Sequence, residues 1–164
     1  MKPLNSAKFR HAASRFTTGV TVITARDQTQ EIVGMTANSF MSVSLAPPTV
    51  LVSVMDGRTL RAIEQSGKFA INVLPAAAKD ISSHFSGRQV PGLIPGFEQT
   101  EGMPKLEAAI AYFECHIEKF ISVADHTLLI GRVIDCSYKD EEPLVFFSSQ
   151  YHNLGGEMCP NENS

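Results

Sequence analysis

The chain has 164 residues, 43% hydrophobic and 19% charged, with 14 Lys and Arg against 17 Asp and Glu for a formal charge of −3. That length fits one domain whose core needs no disulfide or metal staple, and the charge excludes the basic face on which wholesale nucleic-acid binding depends. No apolar run approaches the roughly 20 residues that span a bilayer, and the first six residues lack the apolar stretch of a secretory leader, so the expectation is a soluble, cytoplasmic, single-domain protein with a core over about 6–154.

Ser6 caps a helix predicted over 7–16, with Phe9, Ala12, Ala13 and Phe16 on one side. Gly19 ends it, and the β-branched run 20–24 follows as a strand. A polar turn at 27–30 leads to a strand over 31–40 with Gly34 inside it. Leu45-Ala46-Pro47-Pro48 makes a rigid corner, because proline fixes φ and restricts the residue before it. Residues 49–55 are the most continuous apolar strand. Asp56-Gly57 then turns the chain into a short helix over 58–65 that Gly67 closes. A strand over 69–74 precedes Pro75, which opens an alanine-rich helix over 76–85. The stretch 87–104, with four glycines and three prolines, is a long loop.

Residues 109–120 alternate in their middle. Ala111, Phe113, Cys115 and Ile117 face one way and Glu114, His116 and Glu118 the other, which predicts a half-exposed strand. A strand apolar on both faces follows over 126–136, then an acidic turn at 140–142, a short strand over 143–148 and a polar tail from Gly155. Six or seven short strands with few helices, not alternating as βαβ units do, predict a mainly β protein built as a closed or partly closed antiparallel barrel. The three cysteines include no Cys-x-x-Cys pair, so neither a zinc site nor a dithiol motif is indicated. Cys115 and Cys136 read as small buried hydrophobes, and Cys159 falls in the polar tail.

The chain contains no Gly-x-Gly-x-x-Gly, no Walker-type loop, no nucleophile elbow and no His-x-x-x-His pair. What remains is polar residues in apolar surroundings. Thr36-Ala37-Asn38-Ser39 sits between Met35 and Phe40; its polar groups either satisfy turns and each other or offer an edge to a flat polar ligand. Asp56-Gly57-Arg58-Thr59 is either an ordinary surface turn or a helix start that cradles a phosphate. His126, at the head of an apolar strand, is either structural or catalytic.

In order along the chain, Phe16-Thr17-Thr18-Gly19-Val20-Thr21-Val22-Ile23, Gly34-Met35-Thr36-Ala37-Asn38-Ser39-Phe40, Ser42-Val43-Ser44-Leu45-Ala46-Pro47-Pro48, Phe69-Ala70-Ile71-Asn72-Val73-Leu74, Phe113-Glu114-Cys115, 125–133 and 143–147 resemble the flavin reductase family with the split-barrel flavin-binding fold. That family supplies the reductase components of two-component flavin monooxygenases. Two departures stand out: Ala46 where the family usually has Asp, and Ala124 where it usually has Gly. The stretches 111–115 and 146–152 resemble the styrene monooxygenase branch, which makes FAD a candidate beside FMN.

The resemblance implies hydride transfer from NADH or NADPH to FMN or FAD, with reduced flavin passed to a separate monooxygenase, and a homodimer whose contact comes from the strand at 109–120 and the segment after Pro143. It implies that Thr36, Ala37, Asn38 and Ser39 line the flavin ring and ribityl chain, with Ser53, Val54 and Met55 beside them. Arg58 and Thr59 would hold phosphate, Asn72 and Leu74 would border the flavin, and Phe85, Ser86, Gly87 and Arg88 would close the phosphate side. His126 would orient the nicotinamide and Tyr151 would shape that opening; no metal is implied. Alternatives are a flavin-dependent corrinoid reductase and a flavin-binding protein without turnover.

Overall fold

The computed structural model describes residues 4–99 and 101–155, so Cys159 and nearly all of the tail lie outside the described residues. In chain order the elements are α1 (Ser6–Ala13), β1 (Thr18–Gly19), β2 (Thr21–Arg26), β3 (Ile32–Ala37), β4 (Met41–Leu45), β5 (Pro48–Met55), α2 (Arg58–Ser66), β6 (Lys68–Val73), α3 (Lys79–Phe85), β7 (Ala111–Val123), β8 (His126–Tyr138), β9 (Val145–Phe147) and β10 (Gln150–His152). Seven strands form one antiparallel sheet in the order β3-β2-β6-β7-β8-β5-β4, and β1, β9 and β10 form a small second sheet. The mainly β, antiparallel architecture agrees with the sequence expectation. The strands are more numerous than expected, and β7 and β8 run 13 residues each. No helix among the described residues is long and apolar enough to cross a membrane.

The large sheet curls until β3 approaches β5. Ser39, just past β3, closes the seam: its hydroxyl donates to the Ser53 carbonyl and accepts the Ser53 N–H, both at 2.9 Å. Inside the curl, Ile23, Val52, Val54, Ile63, Phe69, Ile71 and Leu129 form one core, with α2 plugging an end through Leu60, Ala62 and Ile63. A second core, built from Val20, Val22, Leu74, Leu106 and Leu144, lies under α3 and the small sheet. Strand β2 runs between the two, which is why Thr21 through Ala25 are buried on both faces.

Several boundaries differ from expectation for local reasons. Asn5, not Ser6, caps α1, its Oδ1 accepting from the Ala7 and Lys8 amides. The helix stops at Ala13 with none of its residues buried; without tertiary packing a short helix gains little by growing. β3 ends at Ala37 rather than Phe40, and the proline corner conceals β4, which pairs with β5 around a bulge. Pro75 bridges to Pro143, and the Ala76 amide donates to the Glu142 carbonyl, so α3 starts only at Lys79. Gly67 closes α2 as expected, at φ 67°. The segment after Pro143 begins inside the chain, with Leu144 and Val145 buried, and continues through the part-exposed Phe146 and Phe147.

Cys115 is fully buried, and burial pushes its thiol up to about 12. Cys136, expected inside, is exposed, because the far half of β8 runs past the core and leaves Ile134 and Tyr138 in the open. Native protein alkylated at pH 8 is therefore expected to carry label at Cys136 and none at Cys115, checked by peptide mapping. Gly131 of β8 passes over Phe69, where a Cβ would lie 2.7 Å from the ring. Gly131→Ala is expected to destabilise the fold by about 1–3 kcal/mol, read from urea unfolding.

Candidate functional site

β3 is an end strand, paired with β2 alone, so its outer edge carries main-chain N–H and C=O groups outside any ladder. Thr36, Ala37 and Asn38 at its C-terminal end form the floor of a cavity of about 330 Å³. One wall is Ser82, Ser86 and Arg88 of α3 and the turn after it; the opposite wall is Phe146, Ser149 and Tyr151 of the small sheet. A second cavity of about 570 Å³ opens on the other side of Asn38, lined by Phe16, Gly19, Thr21, Ser39, Phe40 and Met41 among others. Both volumes fall in the range of small-molecule sites, roughly 300–1,000 Å³.

The hydroxyls expected to face a ligand are largely spent inside the protein. Thr36 Oγ1 donates to the Ser82 carbonyl at 2.7 Å, and Ser39 Oγ is committed to Ser53. Thr21 Oγ1 fixes the Ala37 carbonyl from below at 2.7 Å. The floor therefore offers the exposed Asn38 side chain and the free strand edge.

Of the residues expected at the site, Thr36, Ala37, Asn38, Ser86, Arg88 and Tyr151 share the first cavity, and Ser39 joins Asn38 in the second. Arg58, Thr59, Phe85 and Gly87 line a neighbouring depression with Gly34. There Phe85 packs so closely on β3 that a Cβ on Gly34 would lie 2.9 Å from its ring. Two arginines stood for the phosphate, and the structure separates them. Arg58 Nη2 lies 2.6 Å from Asp27 Oδ2 and 2.6 Å from Glu31 Oε2, whereas Arg88 pairs with no carboxylate among the described residues.

Asn72 and Leu74 are not on the cavity wall; both are fully buried. The Asn72 Nδ2 donates to the Val22 carbonyl and to Thr24 Oγ1, and its Oδ1 accepts the Leu106 amide at 2.8 Å. With Thr24 Oγ1 donating to the Pro104 carbonyl, Asn72 anchors the end of the long loop rather than bordering a ligand. Val54 is likewise in the core, and Met55 is exposed beside His126, its partner across β5 and β8.

His126 is not among the residues lining either cavity. It stands at the head of β8 with its side chain 39% exposed and Nδ1 2.8 Å from Asp125 Oδ1. The hydrogen bond from His126 holds the Asp125 carboxyl below its usual value, and a carboxylate facing Nδ1 favours the tautomer with the proton there. In the neutral ring of that tautomer Nε2 is the acceptor. Along β5, Met55 is two residues from Ser53, or roughly 7 Å.

Sequence reasoning missed Val20, Ser82, Phe146 and Ser149. Ser82 sits in an ordinary Ser-Ser helical pair that carries no motif. Ser149 follows Ser148 in the two-residue turn of the β9–β10 hairpin, at φ 63° and 51°, where Asn-Gly would have been the legible signal.

Asp27 is held at about 2, against 3.8 ordinarily, by hydrogen bonds from Thr29 and then Arg58. A depressed folded-state value means the clamp on Arg58 is complete above the ordinary value and is lost as pH falls through about 2. A carbon-13 carboxyl titration is expected to place Asp27 near 2, and Arg58→Ala to move it upward.

Residues 13–155 match the model of the flavin reductase like domain family. The chain is 40% identical over 153 residues to the NADH-dependent flavin reductase StyB of Pseudomonas fluorescens, covering 91% of this chain and 90% of that protein. It is 34% identical over 148 residues to the reductase component of 4-hydroxyphenylacetate 3-monooxygenase of Thermus thermophilus, covering 89% and 95%. Among solved structures, the styrene monooxygenase flavin reductase of Pseudomonas putida S12 matches with a TM-score of 0.86 at 41% identity, over 92% of this chain and 99% of that one.

Proposed function

The chain belongs to the flavin reductase like domain family, and on that premise we propose that it transfers hydride from NADH to FMN or FAD and supplies the reduced flavin to a separate monooxygenase in the cytoplasm. The observation that carries this reading is the first cavity: a free strand edge and Asn38 on its floor, with Arg88, which pairs with no carboxylate among the described residues, on its wall. A flat ring with polar edges takes hydrogen bonds from such a floor, and a phosphate takes Arg88. The second cavity meets the first at Asn38, which gives room for two flat nucleotides side by side.

The hydride chemistry is supplied by the two nucleotides when bound. The chain's own part is to hold them in register and exclude water. His126 is assigned to the carboxamide of the nicotinamide, whose N–H the neutral ring's Nε2 accepts; the support is the tautomer that Asp125 favours and the position beyond Ser53 on the Ser39 side of the floor. The active form is taken to be a homodimer, because Met41, Val43 and Leu45 alternate along edge strand β4 with all three exposed, and Ile134 and Tyr138 stand open on β8. Sedimentation at twice the chain mass checks this.

A steady-state assay crossing NADH and NADPH with riboflavin, FMN and FAD tests the reading. Oxidation of NADH stimulated by flavin is expected, and its absence would sink the proposal. Stoichiometric, slowly released flavin without turnover would make the protein a flavin store, and preferential reduction of a corrinoid over oxygen would make it a corrinoid reductase. Arg88→Ala is expected to raise the KM for FMN about tenfold or more while leaving riboflavin nearly unchanged, the loss of one charge-assisted contact. Arg58→Ala should leave both within twofold. His126→Ala is expected to slow NADH-dependent turnover at least tenfold with little change in flavin dissociation.

A further inference from the structure

Ser82 is fully buried on α3, and the three walls of the first cavity meet on it. Its carbonyl accepts Thr36 Oγ1 from β3 at 2.7 Å while also accepting the Ser86 amide of its own helix at 3.0 Å. Its hydroxyl lies 2.8 Å from the Tyr151 hydroxyl of β10. The floor, the helical wall and the hairpin wall are thus joined through one residue.

The outer strand of the hairpin has only a short ladder of its own. β10 has three residues and pairs with β9 alone. It is reached through Ser148 and Ser149, both in the left-handed region that serine adopts only under constraint. β9 also pairs with β1, and further ties are the Ser148 amide to the Ser14 carbonyl at 2.9 Å, the Phe146–Tyr151 and Phe147–His152 ring contacts at 5.5 and 5.9 Å, Arg15 over the Phe147 ring and the packing of Phe146 and Tyr151 on the second core. A short strand on a strained turn drifts unless it is pinned.

We propose that the Ser82–Tyr151 hydrogen bond is a bolt that fixes the width of the flavin cavity, with Ser82 as a positioning residue acting through Tyr151, and Tyr151 setting flavin affinity. The inference rests on the reading of this cavity as the flavin site. Unbolted, the hairpin wall spends part of its time away from the ring position, and apparent affinity falls by the fraction of closed molecules. Once flavin is bound the wall is held by the ligand, so the step at saturation is nearly untouched. The bolt therefore acts on KM and not on kcat.

The test uses the full chain as wild type, Tyr151→Phe, Ser82→Ala and the double variant. FMN dissociation is read by fluorescence quenching, and KM and kcat with NADH. Each single change is expected to raise the FMN dissociation constant and KM by about three- to tenfold, the worth of one neutral hydrogen bond. The double variant should be no worse than the weaker-binding single variant, and kcat should stay within twofold in all three. Tyr151→Phe removes one oxygen and carries the test alone if Ser82→Ala does not fold. Asn38→Trp, which fills the floor, is the companion variant. Unchanged FMN binding in Tyr151→Phe while Asn38→Trp abolishes binding overturns the bolt and leaves the site standing, as do two single effects that multiply in the double variant. Unchanged binding in Asn38→Trp overturns both.

Discussion

A sheet that curls until one end strand reaches the strand next to the other must either pair them or leave an edge exposed, and here a serine does the joining. Ser39 takes both main-chain groups of Ser53 onto one hydroxyl and so ties β3 to β5 without a ladder between them. That choice decides the rest of the site. Had the strands zipped together, the outer groups of β3 would have been consumed, and the floor beneath Asn38 would offer a ligand nothing. A side chain closes the barrel so that a strand edge stays available.

The same economy governs the polar residues that stand out in the sequence. Hydroxyls and amides among apolar neighbours signal either a ligand or an internal partner, and both occur within a few residues. Thr36, Ser39 and Asn72 serve the protein, while Asn38 and Arg88 are left for something else. The cost of burying an unpaired polar group makes the internal use compulsory once a side chain points inward. What points outward stays open to a ligand.

The strand pattern, the caps of α2 and the family resemblance were legible because each rests on local periodicity or on ordered motifs. The exposure of Cys136 was not, since β8 continues its apolar pattern beyond the point where the core ends. Strand β4 was hidden by the prolines that follow it, and β10 by a serine turn. At the site, Arg58 and Arg88 are equivalent as letters; only the fold shows that Asp27 and Glu31, brought in from the β2–β3 turn and the residue before β3, claim the first. Asn72 lies within a matching segment, yet its amide faces Val22, Thr24 and Leu106, distant neighbours that no spacing rule brings together.

Strand β2 has consequences beyond its length. Sandwiched between two apolar clusters, it has no face on which to yield, and β3 is stitched to it along six residue pairs. The cavity floor thus rests on a strand buried on both faces, while the opposing wall includes a strand of three residues. On the proposed reading of this cleft, a flat ring would lie between an anvil and a lighter jaw.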